Sequence, residues 1–183
     1  MDSTQISTIL KQNRQTARVF RGCFASDLLP SPLTLQYPAA LIVNRDPQHK
    51  EGSHWCAIYA TGLAAPVFYY DSLAQPIPAA ITSSFLSKFE AGTRKNIRKY
   101  QSPWAATCAA HCIVFIHHMS SPGNSFEHFF HILDNCTSPD MVRLGVRLKL
   151  RIRLKVKLPI GLGALSSCAS WKGSALLIKP SWV

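Results

Sequence analysis

The chain has 183 residues, 47% hydrophobic and 16% charged, which suits one domain with a substantial core and excludes a largely disordered chain. Its formal charge of +11 favours acidic partners, nucleic acid first, without naming a function. No apolar run reaches the roughly 20 residues that span a bilayer; the best candidate, 161–178, is interrupted by Ser166, Ser167, Ser170, Lys172 and Ser174, so no membrane partner is expected.

In chain order, the polar start MDSTQISTILKQNRQ has no signal-peptide core. Asp2 and Ser3 can cap a helix running to about Lys11, with Ile6, Ile9 and Leu10 on one face. FRGCFASDLLP (20–30) reads as a turn-rich segment stopped by Pro30 and Pro32. YPAALIVNRD (37–46) contains a buried strand, and DPQHKEGS (46–53) is a polar loop. HWCAIYA (54–60) and PVFYYD (66–71) read as two strands joined by the turn TGLAA. Pro76 and Pro78 precede a helix predicted from about Ala79 to Phe89, and RKNIRKYQS (94–102) is basic and extended. Residues 108–119 are apolar all round, which suits a buried helix. Phe126, Phe129, Phe130 and Leu133 are spaced for another, after the SPGN break. These elements place the chain in the α+β class.

The last forty residues differ. From 146 to 158 the chain alternates V-R-L-K-L-R-I-R-L-K-V-K-L, a period that puts Arg147, Lys149, Arg151, Arg153, Lys155 and Lys157 on one face of a strand. They are the candidate nucleic-acid contacts. The break in composition divides a domain over 1–140 from a divergent basic tail over 141–183, expected to be partly disordered or outside the ancestral fold. The six cysteines, Cys23, Cys56, Cys108, Cys112, Cys136 and Cys168, are scattered and often in apolar runs. That pattern implies a reducing, intracellular compartment, the nucleus or a virion-like particle included, rather than a disulfide scaffold.

Chemistry concentrates where the polar stretch QSPWAAT meets the apolar run that starts at Cys108. A thiol becomes a nucleophile as its thiolate, which a helix N-terminus and a neighbouring imidazole both favour. The first-turn N–H groups have no partner inside the helix, so the Cys108 N–H is available to an oxyanion. Cys112, one turn further in, belongs to the core. His54 opens one predicted strand and Asp71 ends the next, so a hairpin brings them together although they are 17 residues apart. His117 and His118 lie roughly 13 Å along the helix from Cys108, too far to serve as its base. A zinc site from Cys108, Cys112, His117 and His118 has a C-x3-C spacing inside the loose range, yet these side chains do not converge easily on one tetrahedral centre. No metal or organic cofactor is expected. On the residues alone, a structural cysteine at a helix start stays open as the alternative to a nucleophile.

GSHWCAIYA, FYYDSLAQP and QSPWAATCAAHCIVFI together resemble the adenovirus-type (adenain-like) cysteine proteases: His-Trp at a strand start, an acid ending the next strand, then Q-x6-C entering a helix. FRGCFASDLLP and AALIVNRDPQHKEGSHW match the upstream segments of that group. The likeness is strongest to the proteases of Polinton/Maverick DNA elements and spans about residues 8–140. More distantly the chain is similar to the SUMO/ubiquitin-like-specific proteases. The resemblance implies a mixed sheet packed against helices, of the papain-like/ubiquitin-like-protease type, and a thiol endopeptidase working through an acyl-enzyme. It implies His54 as general base and acid, Asp71 as its orienting acid and Cys108 as nucleophile. Gln101 would give its side-chain amide to the oxyanion, and Trp55 is a candidate substrate contact. It implies capsid precursors as substrates, cut after small residues; the basic surface adds DNA as a candidate partner, and an activating peptide is another. The chain departs from the pattern at Ala109, where the group has glycine, at His111, where an aromatic is common, and in the basic tail, which has no counterpart. A basic nucleic-acid-binding module that has lost catalysis, and a protease of ubiquitin-like modifiers, are the alternatives.

Overall fold

The sheet is built on the segment that is apolar at every position. The structure, a computed structural model, describes residues 1–135; the expected basic strand at 146–158, its six candidate nucleic-acid contacts and the domain boundary near 140 lie outside them. Five strands form one mixed sheet, ordered β1 (Phe20–Phe24), β2 (Ala39–Asn44), β3 (Trp55–Ala60), β4 (Val67–Tyr70) and β5 (Thr93–Lys95). The outer pairs β1–β2 and β4–β5 are parallel, while β2–β3 and β3–β4 are antiparallel. Strand alternation sorts the side chains into two cores. Ala40, Ile42, Ala57, Tyr59 and Tyr70 face one side, and Ala39, Leu41, Val43, Cys56, Ile58 and Tyr69 face the other. Helices cover both faces, so the central strands are buried on both sides and read as continuous apolar runs.

On the first face lie α1 (Ser3–Gln12), α4 (Cys108–Met119) and α5 (Phe126–Asp134), through Ile6, Leu10, Cys112, Phe115, Ile116, Phe129 and Leu133. Between α1 and β1 runs the short α2 (Arg14–Ala17). Asp2 caps α1 as expected, accepting from the Gln5 N–H at 2.9 Å while the Gln5 side chain accepts from the Asp2 N–H. Such a capping box stabilises a helix start by about 1 kcal/mol. On the second face lie α3 (Ala79–Ser84) and the 3-10 turn after it, through Ile81, Phe85, Leu86 and Phe89.

Two expectations need correction. Residues 20–24 are strand, not turn: Phe20–Phe24 pairs with β2, with a bulge between Phe20 and Gly22. Gly22 has φ of 144°, where a Cβ would meet the Phe24 ring at 3.0 Å, so the glycine that suggested a turn instead permits the bulge. The helix expected over 79–89 breaks at Phe85, and Leu86–Lys88 form a 3-10 turn. The Ser83 and Ser84 hydroxyls donate back to the Ala79 and Ala80 carbonyls, at 3.0 and 2.6 Å, competing with helix propagation.

Candidate active site

The β3–β4 hairpin sets the site. Its register pairs Ala57 with Tyr70, so one step further Cys56 stands opposite Asp71, and His54 lies just before the strand. His54 Nε2 and Asp71 Oδ1 are 2.6 Å apart. Asp71 is 1% exposed, and all its acceptor capacity is engaged. Oδ1 also accepts from the Leu73 N–H at 2.8 Å, while Oδ2 accepts from the Gln75 N–H at 3.1 Å and from Arg45 Nη1 at 3.3 Å. Arg45 follows β2, its N–H donating to the His54 carbonyl at 3.0 Å and its Nη2 to the Pro76 carbonyl at 2.8 Å. The Asp71 backbone is clamped as well. Buried Asn96 accepts from its N–H at 2.9 Å and donates to its carbonyl at 2.6 Å.

Cys108 arrives from the opposite layer as the first residue of α4, partly exposed. The first intrahelical acceptance runs from the His111 N–H to the Thr107 carbonyl, which leaves the earlier N–H groups free of helical partners. Burial pushes the Cys108 thiol up, but hydrogen bonds from His54 and from the Trp55 and Ala109 N–H groups outweigh it and hold it below the ordinary thiol value. Burial pulls His54 down, yet its hydrogen bonds to Asp71, Cys108 and Cys56 raise it to about 11. Asp71 is pushed up by burial but ends below the usual carboxylate range through its bonds from His54 and the Leu73 N–H and the nearby His54 and Arg45 charges. Each of the three shifts favours the charged form of its group: sulfur as thiolate, imidazole as imidazolium and carboxyl as carboxylate. Asp71 occupies Nε2, so Nδ1 is the nitrogen left for sulfur, the reverse of the serine–histidine–aspartate template.

The other sequence candidates fare differently. Gln101 is buried, its Oε1 accepting from Ser72 Oγ at 2.7 Å and its Nε2 donating to the Ala105 carbonyl. It makes no hydrogen bond to Cys108 among the described residues; one amide hydrogen is spent on the loop and the second is the one an oxyanion could use. Trp55 donates its indole N–H to the Met1 carbonyl at 3.2 Å and packs on the helix-side core. Its backbone serves the cysteines: the N–H meets Cys108, and the carbonyl accepts from Cys112 Sγ at 3.3 Å. Cys112 is fully buried, and burial pushes its thiol well up. His111, in place of an aromatic, is 2% exposed with Nδ1 3.1 Å from the Tyr70 hydroxyl, and burial, with the His54 charge, takes it down to about 4. Ala109 is helical and buried.

Among the described residues, Cys108, Cys112, His117 and His118 do not bring their ligand atoms into one cluster. His118 sits at the far end of α4, its Nε2 3.0 Å from the Ser125 carbonyl at the α5 cap. Among the described residues, the metal-ligating atoms that come together, within 4.8 Å of one another, belong to His54, Cys56 and Asp71. Arg45, Ser72, Asn96 and Cys56 escape sequence reasoning, because each acts through a long-range hydrogen bond or strand pairing that leaves no local pattern.

The described part of the chain holds eleven basic and eight acidic residues, +3 of the +11, so most of the excess charge lies beyond residue 135. No protein-family model matches the chain, and no curated protein matches it. Among solved structures it is similar to the central domain of an uncharacterized protein from Legionella pneumophila, with a TM-score of 0.48 and 13% identity over 80% of this chain and 94% of that one.

Proposed function

We propose that the protein is a cysteine endopeptidase of the adenovirus type that its motifs resemble, with a papain-like arrangement of nucleophile helix and sheet. The observation that carries this reading is the buried His54–Asp71 hydrogen bond at the open end of the β3–β4 hairpin, with Cys108 at the mouth of α4 drawn down by the same imidazole. The Cys108 thiolate attacks a peptide carbonyl. The developing oxyanion takes the Cys108 N–H and the second Gln101 amide hydrogen. His54 gives its proton to the leaving amine, and an acyl-enzyme forms. His54 then takes a proton from water, whose attack on the thioester releases the acid and restores the thiolate. Asp71 keeps the imidazole oriented and its positive charge stabilised, and Asn96 and Arg45 keep Asp71 in place.

Capsid precursors of a virus or mobile DNA element, cut after small residues in a reducing compartment, are the proposed substrates. DNA contacts, carried by the tail beyond residue 135 where most of the excess charge lies, concentrate the enzyme on packaged DNA. Labelling with a peptide electrophile tests the chemistry: adduct forms on Cys108, Cys108→Ala abolishes it and Cys112→Ala does not. Equal labelling of both variants defeats the assignment. Cleavage of Gly-Gly modifier fusions in preference to capsid-type peptides would move the enzyme to the ubiquitin-like-modifier class.

A further inference from the structure

Cys56 is a buried thiol that the proposed reaction does not use, and it bonds to the same imidazole as the nucleophile. It stands one register step beyond the last β3–β4 pair, opposite Asp71. His54, Cys56 and Asp71 are all buried, and their ligand atoms lie within 4.8 Å of one another. We propose that these three residues form a site for a thiophilic divalent cation of the zinc type, and that filling it switches the nucleophile off. The cation-binding part stands alone; the inhibitory part rests on the protease reading.

The donor set selects the ion. Sulfur, nitrogen and oxygen together suit zinc, whereas magnesium and calcium want oxygen alone. Zinc holds such ligands at about 2.0–2.3 Å, so the His54–Asp71 pair, hydrogen-bonded at 2.6 Å, must open to admit the ion while Cys56, already within 4.8 Å of both, turns its sulfur toward it. A thiolate, a carboxylate and a neutral imidazole make a neutral set with a 2+ ion, which a buried site accepts. Arg45 does not block it, because its guanidinium engages Oδ2 while His54 engages Oδ1. On binding, the Cys56 thiol proton and one imidazolium proton leave to solvent. His54 then has its lone pair on the metal and can neither hold the Cys108 thiolate as an ion pair nor shuttle a proton.

Cobalt(II) titration of the chelator-treated full chain tests this, because thiolate-to-cobalt charge transfer reports a sulfur ligand without any assay of activity. One equivalent of cobalt should raise the band in the wild type. The band should persist in Cys108→Ala and Cys112→Ala and vanish in Cys56→Ala and Cys56→Val, with unchanged circular dichroism certifying the fold. In parallel, zinc should slow alkylation of Cys108 in the wild type, and Cys56→Ala should raise the zinc needed by more than about tenfold. A band lost with Cys108 but kept without Cys56 would put the cation on the nucleophile and overturn the proposal, as would no band at all. A band that survives in a protein that cleaves no peptide and leaves Cys108 unreactive would sink the protease reading and leave the cation site standing.

Discussion

The first and second turns of α4 each carry a cysteine, on the same helix four residues apart, and they are chemically unlike. Cys108 meets an imidazolium and two backbone N–H groups that favour its anion. Cys112 meets apolar side chains and one carbonyl acceptor, and its thiol stays protonated. A helix mouth activates sulfur only when something charged is built opposite it; here the β3–β4 hairpin supplies it.

Removing the hairpin's contribution should erase that contrast. His54→Ala is expected to lower peptide cleavage by about a thousandfold or more, measured as kcat/KM, and to slow Cys108 alkylation to the rate of an unassisted thiol. Asn96→Ala removes the clamp on the Asp71 backbone and leaves a buried N–H without its acceptor. It should lower stability by about 1–3 kcal/mol in a denaturant titration. Arg45→Gln tests whether the guanidinium tempers Asp71. Without it the carboxylate supports the imidazolium more strongly, so the alkaline limb of the pH profile should move up by about half a unit to one unit. A limb that stays or falls would give Arg45 a bracing role alone. The smallest change is expected from Cys112→Ala, which removes a well-packed sulfur at a cost of about 1 kcal/mol and leaves Cys108 labelling as it was.

How far the sequence reached follows from the range of the forces involved. His54 and Asp71 could be paired on paper because hairpin register and side-chain alternation are local rules. The α4 boundary could be read because Cys108 sits where polar residues give way to apolar ones. β1 was hidden by Gly22, whose bulge looks like a turn when its partner strand is out of view. Cys56 reads as one more small apolar residue in a strand; only its position opposite Asp71 gives it chemistry. Asn96 and Ser72 are polar residues in unpatterned stretches, and their value lies in closing hydrogen bonds to Asp71 and Gln101 across 25 and 29 residues of chain.

The ion pair itself is the central claim, and the pH dependence of Cys108 alkylation tests it most directly. With Cys108 lowered and His54 raised to about 11, the thiolate is present above the lowered Cys108 value, and the imidazolium persists until pH climbs through about 11. The alkylation rate, read by intact mass, should therefore reach its plateau at a lower pH than an ordinary thiol's and fall only as pH drops through the lowered Cys108 value. In His54→Ala it should instead climb about tenfold per pH unit toward the ordinary thiol value near 8.5. A wild-type profile that climbs in that same way would contradict the account.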